Sequence, residues 1–212
     1  MDLPAKVFFT KMNKMKMHTL IFATNNQHKA DEIRHVLQNS FEIKTLKDAG
    51  ITIDIPEPYE TLEKNAREKS TVIHSLTGAD CFSEDTGLEV TALRGEPGVK
   101  SARYAGDAAN AKNNIEKLLT NMQGIAQRDA RFRTVISLML NGTEYQFEGI
   151  CNGQIIEEEK GVNGFGYDAV FIPAGADKTF AEMNMDEKTV FSHRKKATDK
   201  FVTFLNNYDG QD

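Results

Sequence analysis

An apolar run at residues 18–24 (HTLIFAT) stops at Asn25-Asn26, and beyond it Ala30, Ile33, Val36 and Leu37 recur at helical spacing. The pattern predicts a strand, a turn and a helix. Asn26 suits the N-cap of that helix, because its side-chain oxygen can accept from a free amide of the first turn. Residues 41–46 read as a second strand. Between residues 61 and 76, Leu62, Ala66, Ile73 and Leu76 mark one face of a second helix, and Lys69 falls on the same stripe. A lysine among apolar positions needs an explanation, since a buried charge is costly without a partner.

Farther along, residues 81–84 and 89–93 predict two short strands around a turn at Thr86-Gly87, and residues 108–119 predict a helix. Residues 131–140 alternate enough for a strand, and Asn141-Gly142 is the two-residue signal of a tight hairpin into a partner strand at 144–157. Residues 161–166 are glycine-rich and loop-like, residues 170–172 form a short buried strand, and residues 194–206 close the chain as a helix. Helices thus mix with both crossover and hairpin connections. That order predicts an α/β or α+β protein built on a mixed sheet.

At 212 residues the chain can bury one substantial core, as a single compact unit or as two lobes sharing a sheet. Because periodic structure begins only at His18, residues 1–16 read as a loose extension, with Met17 an alternative start, and residues 17–212 as one domain. The apolar stretch of that extension, Val7-Phe8-Phe9, is too short for a signal peptide, and nothing approaches the ~20 apolar residues of a membrane span. Lys and Arg number 26 against 31 Asp and Glu, a net charge of −5. No broad cationic field is available for a nucleic acid, so any phosphate binding must be local. Cys81 and Cys151 have neither metal-ligand spacing nor the density of a disulfide scaffold, which predicts reduced thiols in a cytoplasmic protein.

Three segments concentrate chemistry. In Thr24-Asn25-Asn26-Gln27-His28-Lys29, a strand end delivers polar side chains and a lysine to a helix N-terminus, whose free amides and dipole favour phosphate. A capped helix with a solvated lysine explains the same residues. In Ser83-Glu84-Asp85-Thr86-Gly87, two adjacent acids point to opposite faces of an extended chain, so one of them enters a given cleft, and Asp85, beside the expected turn, is the candidate. Solvated acids at an Asp-Thr-Gly turn are the plain alternative. In Gly164-Phe165-Gly166-Tyr167-Asp168, glycines bracket an aromatic that could lie against a flat ring, and some 20 residues later Lys188, Ser192, His193 and Arg194 crowd donors together, although a glycine loop with a core Phe and a charged helix start explain the same residues. No G-x-x-x-x-G-K-[ST] loop, C-x-x-C pair, H-E-x-x-H helix or G-x-S-x-G elbow occurs.

Together these segments resemble the inosine triphosphate pyrophosphatase family from about residue 19 to residue 197. The family pattern T-[GN]-N-x-x-K-x-x-E is met by Thr24, Asn25, Asn26, Lys29 and Glu32, and E-x-x-x-T-x-x-x-N-A-x-x-K by Glu57, Thr61, Asn65, Ala66 and Lys69. S-D-D-S-G-L appears as Ser83-Glu84-Asp85-Thr86-Gly87-Leu88, followed at residues 95–106 by G-x-P-G-V-x-S-A-R-Y-A-G, then the G-F-G-Y-D loop and the E-K…S-H-R ending. Glu84 and Thr86 depart from the usual Asp and Ser, Ala169 stands where a Pro usually follows the loop, and Thr189 where Asn often stands.

The resemblance implies a two-lobed α/β fold with a long bent mixed sheet, a cleft between the lobes, and a homodimer. It implies Mg²⁺-dependent cleavage of purine triphosphates such as ITP, dITP and XTP to the monophosphate and pyrophosphate. Residues 24–29 would hold the triphosphate, Glu57 and Asp85 the metal, and Asp85 would also accept a proton from water. Lys29 and Lys69 would favour the leaving pyrophosphate, and Lys69 in the cleft would explain its place on an apolar stripe. Thr86, Phe165, Gly166, Tyr167, Asp168, Lys188, His193 and Arg194 would contact the nucleotide, with His193 and Arg194 as donors to a six-keto oxygen. Which acid is base and which only ligand stays open. Two rival readings are a Maf-like pyrophosphatase acting on pyrimidine or modified triphosphates and a catalytically silent nucleotide-binding module.

Overall fold

The computed structural model describes residues 19–37 and 41–208. The expected extension at residues 1–16 and the expected start at His18 lie outside them. Strand β1 (Thr19–Phe22) feeds helix α1 (Gln27–Leu37), capped by Asn26, whose side-chain oxygen accepts from the Lys29 amide at 3.1 Å. Strand β2 (Glu42–Thr45) follows, then an extended segment without regular pairing at residues 51–60, then helix α2 (Leu62–Thr77). Thr61 caps α2, and Gly78, at φ 66°, ends it in the left-handed conformation that glycine adopts without strain.

Strand β3 (Cys81–Val90), the two-residue β4 (Pro97–Gly98), helix α3 (Ala111–Asn121), and the hairpin β5 (Asp129–Leu140) and β6 (Thr143–Ile155) come next. The hairpin turn is the expected one: Asn141 and Gly142 both have positive φ, at 50° and 79°. Strand β7 (Phe171–Pro173) and helices α4 (Met185–Phe191) and α5 (His193–Asn207) complete the chain.

Seven strands form one sheet in the order β2-β1-β3-β5-β6-β7, with β4 paired to β3. Its β2-β1-β3 side is parallel and the remainder antiparallel. The mixed α/β sheet expected from the sequence is therefore present. Alternation assigns the faces. Phe22 and Phe82, stacked at 4.5 Å, meet Ile33 of α1 and Phe201 of α5 on one face, whereas Ile21, Cys81 and Met139 meet Ile73 of α2 on the other. Full burial of such a side chain contributes roughly 1.5–3 kcal/mol, so these contacts pin α1 and α5 to one side and α2 to the other. A separate core around Leu88, Phe132, Phe171 and Phe180 fills the far end of the long strands.

Three expectations are corrected. There is no turn at Thr86-Gly87. Strand β3 runs straight through, because Gly87 lets β4 lie close against it, and a Cβ there would sit 2.6 Å from the Gly98 carbonyl oxygen. Residues 91–93, expected to be strand, form a 3-10 turn instead. Leu76 is 57% exposed rather than part of the buried stripe, since it lies in the last turn of α2, where the helix runs past the sheet.

Candidate active site

Among the described residues, the edge of β3 facing β1 has no partner beyond Phe82 until Leu88 meets β4. Residues 83–87 therefore border a gap in the sheet, at the carboxyl end of the parallel strands where α/β proteins place ligands. A cleft of about 580 Å³ opens there. The gap also revises the expectation that only one acid enters. Alternation still sends Asp85 toward α2 and Glu84 toward α5, but with no neighbouring strand both line the cleft.

One end is built from α1, α2 and the extended segment. Ile51, Ile53 and Ile55 pack inward on alternate positions against the Ile21–Ile73 cluster, and the same alternation turns Glu57 toward Lys69. The Lys69 ammonium lies 2.6 Å from Glu57 Oε1 and 3.1 Å from Asp85 Oδ1, which accounts for a lysine on the apolar stripe of α2. Glu57 Oε2 accepts from Arg103 at 3.0 Å. Burial pushes the Glu57 carboxyl up, but Lys69, Lys29 and Arg103 outweigh it and hold it at about 2. Burial raises Asp85 above its ordinary value against the pull of Lys69 and Lys29, with Glu57 adding to the rise. Asp85 Oδ2 is buried and has no hydrogen-bond partner among the described residues.

Thr24, Asn25, Asn26, His28 and Lys29 line the same cleft from the head of α1. Thr24 Oγ1 accepts from the Asn26 amide at 3.1 Å, and Lys29 Nζ lies 3.0 Å from Glu84 Oε1. Gln27 is not among the lining residues and instead donates to Asp31 at 2.6 Å. The His28 ring stacks on Phe165, with centroids 5.1 Å apart and planes 13° apart.

The other end is a closed charge network. Arg194 is 1% exposed, donates from Nε and Nη2 to the two oxygens of Glu84 at 2.7 and 2.9 Å, and pairs through Nη1 with Glu32. Lys188 bridges Glu32 at 2.7 Å and Asp168 at 2.6 Å, and Asp168 Oδ2 in turn accepts from the Phe165 amide at 2.9 Å. Two glycines permit this packing. A Cβ on Gly149 of β6 would strike the His193 carbonyl and the Ala197 amide of α5, and one on Gly164, at φ 75°, would strike the Asp168 carboxylate. Burial lowers the His193 pKa well below its ordinary value, helped by Arg194 and Lys188, so the imidazole is neutral. That ring stacks on Phe132 at 4.8 Å, and its buried Nδ1 has no partner among the described residues. Thr86 Oγ1 joins the network by accepting from Arg194 Nη2 at 3.4 Å and shares a hydrogen bond with Thr134 at 2.6 Å, and the Tyr167 hydroxyl donates to the Ser101 carbonyl at 2.9 Å. Gly166 completes the loop wall.

The Ham1 family profile matches residues 20–204. This chain belongs to the Ham1 family. A dITP/XTP pyrophosphatase of Porphyromonas gingivalis is 48% identical over 190 residues, spanning 89% of this chain and 98% of its own. One from Flavobacterium johnsoniae is 47% identical over 186 residues, spanning 88% and 97%. Among solved structures, a HAM1 protein from Coxiella burnetii superposes with a TM-score of 0.83 at 32% identity, covering 91% of this chain and 100% of that one. The Staphylococcus aureus Ham1 protein gives 0.80 at 34%, covering 89% and 98%. The family resemblance and the fold read from the motifs therefore hold.

Within this Ham1 chain, the predicted residues other than Gln27 come together around one cleft. Glu84 and Arg103 also line it, and Glu32 stands behind it against Lys188 and Arg194, none of them singled out by sequence reasoning. Glu32 and Arg103 stand inside matched motifs, which was a signal, whereas Glu84 was set aside in favour of its neighbour. Cys81 and Cys151 are buried away from the cleft, and desolvation pushes their thiols up to about 12 and about 11, as suits inert packing residues. Among the described residues no helix is long and apolar enough to cross a membrane, and no group of three or more His, Cys, Asp or Glu could hold a metal.

Proposed function

We propose that this protein is a Mg²⁺-dependent pyrophosphatase that cleaves non-standard purine triphosphates, ITP, dITP and XTP, to the monophosphate and pyrophosphate. The observation that carries this reading is the buried, unpartnered Oδ2 of Asp85, held beside Lys69 and Glu57 in a cleft whose head is a capped helix N-terminus. The names of the relatives, dITP/XTP pyrophosphatases, support the same substrate class.

Glu57 and Asp85 are two acids rather than a cage, and Mg²⁺ prefers such a site, completed by phosphate oxygens and water. The charges of the cleft point the same way. Lys29, Lys69, Arg103, Lys188 and Arg194 are each paired with Glu57, Asp85, Glu84, Glu32 or Asp168, so little positive charge is left for a polyanion. Bound there, Mg²⁺ would share the phosphate charge and lower the pKa of a coordinated water. Lys29 and Lys69 hold the phosphates and favour the departing pyrophosphate. Asp85, whose carboxyl burial raises against the pull of Lys69, accepts a proton from the attacking water through Oδ2.

At the base end, a purine would take the place of the His28 ring on Phe165, and the neutral His193 with its unpartnered Nδ1, together with the one Arg194 N–H that Glu84, Glu32 and Thr86 leave over, faces the six-keto edge. An exocyclic amine at that edge would set donor against donor, at about 1–3 kcal/mol for each unpaired group. A homodimer, a cytoplasmic setting and a single working domain over residues 17–212 belong to the same proposal.

The test is product analysis on ITP, XTP, ATP and dTTP with and without Mg²⁺. Pyrophosphate and monophosphate should form from ITP and XTP only with the metal, and far less from ATP and dTTP. Release of orthophosphate, or equal turnover of all four, would overturn the reading.

A further inference from the structure

Glu84 is, among the described residues, the one acid of the cleft that touches both of its ends. Its side chain is fully enclosed, yet Oε1 lies 3.0 Å from Lys29 Nζ while both oxygens grip the Arg194 guanidinium at 2.7 and 2.9 Å. Thr86 Oγ1 adds a longer donation to Oε1 at 3.4 Å. Among the described residues Lys29 has no other ion pair, whereas Arg194 keeps Glu32 as a second partner. Lys29 sits in the first turn of α1, and Arg194 in the first turn of α5.

We infer that Glu84 is a positioning residue with opposite effects at the two ends: it holds Lys29 in competition with phosphate, and it fixes the Arg194 fork for the base. This rests on the placement of phosphate and base given above. A polyanion entering at α1 must draw Lys29 away from Oε1, so Glu84 weakens phosphate binding by the strength of that contact. The same carboxylate is bidentate toward Arg194, and bidentate pairs fix direction as well as distance. A counter-ion that only stabilised the fold would have one sign at both ends. Glu84 has two.

The experiment separates the ends with ligands that visit only one of them. Inorganic tripolyphosphate, followed by calorimetry, probes the Lys29 end, and inosine, followed by ligand-observed NMR titration, probes the Arg194 end. In Glu84→Gln, which keeps the volume and removes the charge, tripolyphosphate should bind about two- to five-fold tighter, the scale of a partly exposed ion pair. Inosine should bind about ten-fold more weakly, the scale of a lost hydrogen bond between charged groups. If both ligands weaken together, or tripolyphosphate does not respond, Glu84 is only a counter-ion to Arg194 and the inference fails. Should Glu84→Gln not fold, Glu84→Asp decides. Withdrawing the charge by one methylene breaks the single-oxygen contact to Lys29 before the two-pronged one to Arg194, so tripolyphosphate must tighten with inosine nearly unmoved. Neither titration requires turnover, so a chain that binds nucleotides without cleaving them would sink the proposed function and leave this inference standing.

Discussion

The two ends of the cleft solve the same problem, charge out of water, in different ways. At the base end, Glu84, Arg194, Glu32, Lys188 and Asp168 alternate in sign, and each is bonded to the next. At the other end, Lys69 is shared between Glu57 and Asp85, and one Asp85 oxygen is left over. A network whose carboxylates are all paired is rigid and offers a fixed template for a flat ligand, while one that leaves a carboxylate oxygen over is poised to take a new partner. The difference teaches where to look for stability and where to look for chemistry: removing a member of the first leaves buried charge behind, and removing one from the second removes reactivity.

The largest effect should come from Asp85→Asn, which keeps volume and abolishes proton acceptance. Turnover should fall about 10²- to 10⁴-fold, with the circular dichroism spectrum and unfolding midpoint close to wild type. Near-normal pyrophosphate release from the folded variant would remove Asp85 from catalysis.

Arg194→Ala should invert that balance. It takes from Glu84 and Glu32 the guanidinium they share, leaving Lys29 and Lys188 as their remaining partners, at a cost of about 3–5 kcal/mol in urea unfolding. In whatever fraction stays folded, kcat/KM for ITP should drop far more than for ATP, because only the keto base gains the donor. If this variant were no less stable than Asp85→Asn, the contrast between the ends would collapse.

The smallest effect is expected from Glu57→Gln, which should raise the Mg²⁺ concentration for half-maximal activity about ten-fold. The same residue gives a pH signature. Its folded pKa of about 2 lies below the ordinary 4.5, so its contribution to stability is complete above about 4.5 and is lost as pH falls toward 2. Acid unfolding of wild type should therefore steepen in that window and that of Glu57→Gln should not. Superimposable acid titrations would show that the Glu57 ion pairs contribute nothing to the folded state.

Much of this was legible in the sequence because local chemistry specified it. The Asn26 cap, the Asn141-Gly142 hairpin and the apolar stripe of α2 each declare themselves within a few residues, and the one anomaly on that stripe, Lys69, pointed straight at the cleft. Other features depend on distant partners. Gly87 looks like a turn residue until β4 is seen lying against it. The extended segment that carries Glu57 alternates in polarity like a strand but has no neighbour to pair with. Helices α4 and α5 run together in sequence, and only the three-dimensional path shows Ser192 ending one and capping the other. Arg194 reads as a donor for ligand, yet its bonds go to acids 110 and 162 residues away, a pairing that no local pattern announces.

The long strands have a mechanical consequence. β3, β5 and β6, at 10, 12 and 13 residues, run unbroken from the aromatic core beneath α1 and α5 into the second core. A hinge needs a short connection whose torsions can turn freely; here the floor of the cleft is a laminate cross-linked by ladder hydrogen bonds along its whole length. Any closing of the walls must be spread as a slight extra twist over many residues, which makes the frame a stiff spring. Entry and exit of a nucleotide then fall to side chains at the rim, such as the His28 ring on Phe165, rather than to the sheet.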